Sequence, residues 1–189
     1  MVFIFGMKRL SLLFFALLVS TLIFTTSVGA ILAPVNNLAN EQNHPIEYNL
    51  TYPGLLPDHP LYAIKTLRDR MLEWLTRDNI KKIHLYLLLS DKRLTMGKTL
   101  IEKGNNQLGI TTFSKGEKYL LLAATTMVTL KSHQDLPPGL SDKLALAARK
   151  HDEVIRESLS KITNDNEKNS LNEALSINHQ ASAQMASVK

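Results

Sequence analysis

The sequence predicts an all-α fold, an antiparallel bundle of four to five helices behind an N-terminal signal peptide or transmembrane anchor. Three observations carry that prediction. Apolar residues recur at spacings of three, four and seven through most of residues 58–188. Short breaks rich in Pro, Gly, Asn and Asp separate these runs. No period-two alternation bounded by turn residues occurs, so no sheet is expected.

Residues 1–30 read as an address. Lys8 and Arg9 are the only charges before Glu41, and residues 10–24 run LSLLFFALLVSTLIF before the chain turns small and polar up to Ala30. A basic start, an apolar centre, and Val28 and Ala30 ahead of a cut form a secretory signal. Two outcomes stay open. Either residues 1–30 are removed, or residues 10–33, uncharged throughout and about 36 Å long as a helix, stay as a membrane anchor. In both cases the basic pair holds the N-terminus inside, and the remainder is expected outside the cytoplasmic membrane. Residues 31–57, with Pro34, Pro45, Pro53 and many Asn, read as an extended linker.

The helical domain is expected over 58–188. Its first helix should open after Asp58 with Pro60 near the first turn, where a missing N–H costs nothing. Leu61, Ile64, Leu67, Met71, Trp74 and Leu75 form one apolar face, with charged residues on the others. Asp78 reads as the cap of a second helix, in which Ile80, Leu87, Leu94 and Ile101 repeat every seven residues. Ile83, Ser90, Gly97 and Gly104 follow three residues after each, a rung with small members that admits a close neighbour. Gly104 is expected to end that helix. A third helix over about 107–131 shows Phe113, Gly116, Leu120, Ala123, Met127 and Leu130. The stretch Asp135-Leu136-Pro137-Pro138-Gly139 stops it. A fourth helix to about Lys161 turns Leu144, Ala148, His151, Ile155 and Ile162 inward. A fifth starts at Asn164, whose spacing to Glu167 fits a capping box, with Leu171, Ala174, Leu175, Asn178 and Met185 on its face and a C-terminal end expected to fray.

Two stretches carry a resemblance: residues 56–70, LPDHPLYAIKTLRDR, and 81–104, KKIHLYLLLSDKRLTMGKTLIEKG. They resemble an exported bacterial helical domain family of unknown function that opens Leu-Pro-x-x-Pro-Leu-Tyr-x-x-Lys. Here that opening is Leu56, Pro57, Pro60, Leu61, Tyr62 and Lys65, with Arg93 and Leu94 matching further on. The resemblance covers roughly 55–160. Ser90 stands where the pattern has Ala, and Met96 where it has an acid. It implies an exported helical module and brings no activity. The opening reads as architecture, with Leu61 and Tyr62 folding onto the bundle; a partner contact by Tyr62 and Lys65 is the other reading.

Chemistry-bearing patterns are scarce. The absence of Cys rules out thiolate metal sites and a thiol nucleophile. No two of the six His lie three or four apart, so no helix offers a two-His metal face. There is no Gly-rich phosphate loop, no Gly-x-Ser-x-Gly and no paired-carboxylate motif, and the carboxylates read as scattered over solvent faces. No enzyme activity, cofactor or metal is expected. His151, on an apolar stripe, reads as a hydrogen-bonded core histidine; the alternative is a ligand or a pH sensor acting between about pH 5 and 7. The residues singled out are therefore Pro60, Leu61, Tyr62, Lys65, Arg93 and His151.

The formal charge of +5 is concentrated in residues 59–104, which hold ten basic against five acidic residues. With no interleaved aromatics for base stacking, nucleic acid is not the expected partner. An envelope protein or an anionic envelope surface is, with membrane contact through residues 10–33 if they are retained. The functional expectation is an exported or membrane-anchored helical interaction or scaffold module of the bacterial cell envelope. The alternative is a periplasmic-type chaperone or stress sensor binding apolar peptide or lipid.

Overall fold

The computed structural model describes residues 48–187. The expected signal peptide or anchor (1–30, 10–33) and most of the expected linker lie outside the described residues. Five helices and no strand make up the described chain: α1 (Tyr62–Leu75), α2 (Asn79–Glu102), α3 (Asn106–Lys131), α4 (Leu140–Lys161) and α5 (Asp165–Ala186). None of them is long and apolar enough to cross a membrane.

The helix ends follow local chemistry. Asp78 accepts the Lys81 N–H at 2.8 Å, satisfying one of the first-turn donors that α2 leaves unpaired. Gly104 takes φ +81°, the left-handed turn that releases the chain from α2 at little steric cost. Asn164 accepts from the N–H groups of Asn166 and Glu167, but Glu167 does not close the expected capping box. Its carboxylate accepts from Asn106 Nδ2 at 2.9 Å, which pins the start of α5 to the start of α3. Nor does the far end of α5 give way early: the helix runs to Ala186, and Met185 is buried.

The first helix starts later than the sequence suggests. Pro60 lies in the turn before it, where the Tyr62 N–H donates to the His59 carbonyl at 2.9 Å. Asp58 caps nothing; it pairs with Lys103 at 3.7 Å. Residues 48–57 form no helix or strand, yet they are fastened to the bundle. Tyr48 Oη donates to Asp91 at 2.7 Å, and the Thr95 hydroxyl donates to the Thr51 carbonyl at 3.1 Å.

Helices α2 to α5 form a four-helix ring on which α1 sits. The small-residue rung does what its spacing predicts. Gly97 faces Gly109 and Phe113, and Gly116 faces Ser90 and Arg93. A Cβ at Gly97 would come within 2.9 Å of the Phe113 ring, and one at Gly109 within 2.7 Å of Ile101. Since partners meet in reverse order, α2 and α3 are antiparallel. Around the ring α2 packs on α3 and α4, and α5 packs on α3 and α4. The pairs Asn106–Glu167, Glu117–Asn178 and Thr125–Gln184 advance together, so neighbours α3 and α5 run parallel. Consecutive helices alternate in direction as expected, but the chain crosses the bundle diagonally between α3 and α4. The crossing falls at the one longer connection in the ring, residues 132–139.

Candidate functional site

The core is divided in two. One apolar cluster contains Ile83, Leu87, Leu120, Leu144, Ala148 and Met185; the other contains Leu94, Ile101, Phe113, Ile155 and Leu171. Along each ring helix a polar side chain lies between the two clusters: Asp91 on α2, Glu117 on α3, His151 on α4 and Asn178 on α5. All four are buried, His151 and Glu117 completely.

These four meet across the bundle axis. His151 Nδ1 lies 2.8 Å from Glu117 Oε1, and its Nε2 lies 2.9 Å from Asp91 Oδ1. Asn178 Nδ2 donates to the other Glu117 oxygen at 2.9 Å and to the Ala148 carbonyl at 3.1 Å. Tyr48 donates to the second Asp91 oxygen, so every carboxylate oxygen in the layer has a partner. Burial pulls the His151 imidazolium down, but the Glu117 and Asp91 carboxylates outweigh it and hold the ring up to about 9. Burial and Asp91 push the Tyr48 phenol upward, which keeps it a donor. One imidazolium between two carboxylates, each group hydrogen-bonded, is the arrangement in which buried charge is tolerated.

The core-histidine reading of His151 thus describes its surroundings, and the pH window attached to the alternative moves. A ring held up to about 9 titrates in the fold above pH 7, not between 5 and 7. Solvent-face placement of the carboxylates is corrected as well, because Asp69, Asp91 and Glu117 are buried. A signal for two of them was available. Asp91 follows Leu87 by four and precedes Leu94 by three, and Glu117 stands in the same relation to Phe113 and Leu120.

A second polar cluster seats α1. Arg93, nearly buried, places Nη2 4.0 Å from Asp69 Oδ2 and its guanidinium 4.4 Å from the Tyr119 ring centre, and donates to the Leu89 carbonyl at 3.2 Å. Arg68 holds the other Asp69 oxygen at 2.8 Å, and Tyr119 donates to Glu73 at 3.4 Å. Lys65 donates to the Pro53 and Leu55 carbonyls at 2.8 and 3.1 Å, with the Met96 sulfur 4.0 Å away. Burial lowers the Lys65 amine to about 8 despite the pull of Asp69. At position 96, where the resemblance implies an acid, the Met96 thioether faces the ammonium, and backbone carbonyls solvate it.

Consequently α1 is amphipathic with its polar side turned inward. Ile64, Leu67 and Trp74 are 66%, 60% and 81% exposed, and Leu61, Met71 and Leu75 lie on the same outer face. Leu61, expected to fold onto the bundle, is instead 51% exposed, while Tyr62 is half-buried. Of the six residues singled out from sequence, the structure gathers Tyr62, Lys65 and Arg93 around the seat of α1, leaves Pro60 and Leu61 at its start, and places His151 in the separate polar layer. Asp69, Tyr119, Asp91, Glu117 and Asn178 complete the two clusters and were not singled out. Among the described residues no group of three or more His, Cys, Asp or Glu side chains is arranged to hold a metal ion.

Residues 54–188 match a protein family described as a domain of unknown function, DUF5667, and the chain belongs to that family. The match extends beyond the resembled stretch to include α5. No curated protein and no solved structure matches the chain.

Proposed function

We propose that this member of the DUF5667 family is an exported or membrane-anchored helical interaction module of the bacterial cell envelope, without catalytic activity. The observation that carries the reading is the orientation of α1. Lys65, Asp69 and Glu73 are spent on holding the helix to the bundle, and Ile64, Leu67 and Trp74 are left facing outward. Burying Ile64, Leu67 and Trp74 on a partner would recover on the order of 1.5–3 kcal/mol per side chain, and an exposed contiguous apolar face is the mark of an interaction surface. The polar layer supports the same reading, because its histidine and its two carboxylates are sealed in the core and paired with one another. The charged start followed by an uncharged run at residues 8–33 supports placement outside the cytoplasm.

The outward face also favours, as a second reading, capture of apolar peptide or lipid by a chaperone-like protein. The exposed strip is however supplied by a single helix, whereas peptide capture calls for a groove between elements. Cell fractionation with N-terminal sequencing of the full chain tests the location. A mature start at Ile31, or an intact chain in the membrane fraction with its C-terminus outside, is expected. An intact chain in the soluble cytoplasm overturns it.

A further inference from the structure

We propose that the outer face of α1 docks into the headgroup region of an anionic lipid bilayer. The inference deepens the envelope reading above and rests on it, since it requires the bundle to sit beside a membrane surface.

Four observations lead there. First, the face has the composition of an interfacial helix. Ile64, Leu67, Met71 and Leu75 supply the apolar strip, and Trp74, the only tryptophan in the chain, is its most exposed member. An indole with an apolar body and a polar N–H suits the boundary between headgroups and acyl chains. Second, the charge fits. At 100° per residue, Arg68 borders one edge of the strip and Arg70 the other, and exposed Arg77 follows the helix end. The two acids of α1 point the other way, Asp69 to Arg93 and Glu73 to Tyr119. Arg68 also reaches Asp69, and exposed Arg70 and Arg77 leave the rim cationic, which orients the helix toward negative headgroups.

Third, a second copy of the chain fits the same face poorly. Two facing α1 helices would oppose their arginines with no exposed acid of α1 to pair with them. The fourteen residues of α1 make a strip of about 21 Å by 10 Å, far short of the roughly 800 Å² per partner of a stable interface. A bilayer imposes no such minimum. Fourth, the tether is long enough. If residues 10–33 lie in a membrane, residues 34–47 span at most about 50 Å before Tyr48, enough for α1 to reach the surface it leaves.

Trp74 makes the test direct. The full chain is reconstituted into phosphatidylcholine vesicles with and without phosphatidylglycerol, and Trp74 emission is read with lipids brominated on their acyl chains. The expected result is a blue shift and loss of more than half the emission in the phosphatidylglycerol vesicles, weakened by high salt and by Arg70→Gln. Leu67→Glu should abolish the quenching while leaving the thermal midpoint unchanged, because the site is exposed. Emission that stays water-like while the chain floats with the vesicles overturns the inference and leaves the envelope reading intact. Equal quenching in pure phosphatidylcholine overturns the anionic assignment. A Trp74 already shielded without vesicles, with a dimer in sedimentation, assigns the face to a second copy and also overturns it. Fractionation of cells decides the envelope reading separately.

Discussion

In α4, Leu144, Ala148, His151 and Ile155 face the bundle axis and all are buried; in α1, Ile64, Leu67, Met71 and Trp74 recur at similar spacings and face water. The two stripes are alike in sequence, so apolar spacing alone does not say which side of a helix goes in. The polar members decide. The ionisable residue on the α4 stripe, His151, finds Glu117 and Asp91 within 2.9 Å, so that stripe can be buried whole. On α1 it is Asp69, on the opposite side, that finds Arg93, while Lys65 finds two backbone carbonyls. Turning α1 over would take Asp69 away from Arg93 and press the Arg93 guanidinium against the apolar stripe without a counter-charge.

The largest expected effect breaks the α4 side of this comparison. His151→Leu leaves Asp91 and Glu117 buried and facing each other without a cation, and should destabilise the fold by about 3–5 kcal/mol, read by urea unfolding. The same histidine sets a pH signature. Its folded pKa is raised, from about 6.5 to about 9, so its contribution is fully present below about pH 6.5 and is lost as pH rises through about 9. In His151→Gln that loss is absent, and the stability gap between wild type and variant should narrow from pH 6.5 to 9. Lys65, titrating near 8, is common to both proteins and cancels. A gap that stays constant across the window would sink this account of the layer.

The next effect falls on the seat of α1. Arg93→Met keeps the bulk of the side chain but removes the cation from Asp69 and from the Tyr119 ring. A loss of about 1–3 kcal/mol is expected. It should be local: amide exchange should accelerate in α1 while α2 to α5 keep their protection. Uniform acceleration through all five helices would show that α1 is integral to the core and not an appendage held by polar contacts.

What could be read from the residues, and what could not, follows the same division. The ring helices were legible because burial selects for regular spacing: the Ile80 to Ile101 heptad, the Gly97 and Gly116 rung and the Asn164 cap all announce themselves locally. Ser90 shows the limit of that legibility. It looks like a neutral exchange for Ala, yet its hydroxyl donates across the interface to the Gly116 carbonyl at 2.9 Å. The polar layer was half legible, through His151 and Asn178 on apolar stripes. Asp91 and Glu117 also stand on apolar stripes, but their partners lie 60 and 34 residues away, so no local pattern showed what would pair them in the core. The diagonal crossing between α3 and α4 was hidden for the same reason, as helix direction and ring order are set by long-range packing.

The smallest expected effect sharpens the α1 side. Leu67→Ser removes a large apolar side chain from the middle of a regular stripe, and on spacing alone it should be as damaging as Leu144→Ala. Leu144 is fully buried, so truncating it deletes packed contacts and leaves a cavity, at about 2–5 kcal/mol. Leu67 is already mostly in water, and its loss should move stability by no more than about 0.5 kcal/mol. If urea midpoints of the two variants fall together, the stripe of α1 is buried in solution and the helix lies the other way up. If Leu67→Ser matches the wild type, the outward stripe of α1 is not held by burial in the bundle, and its regular spacing is left for a partner outside the bundle.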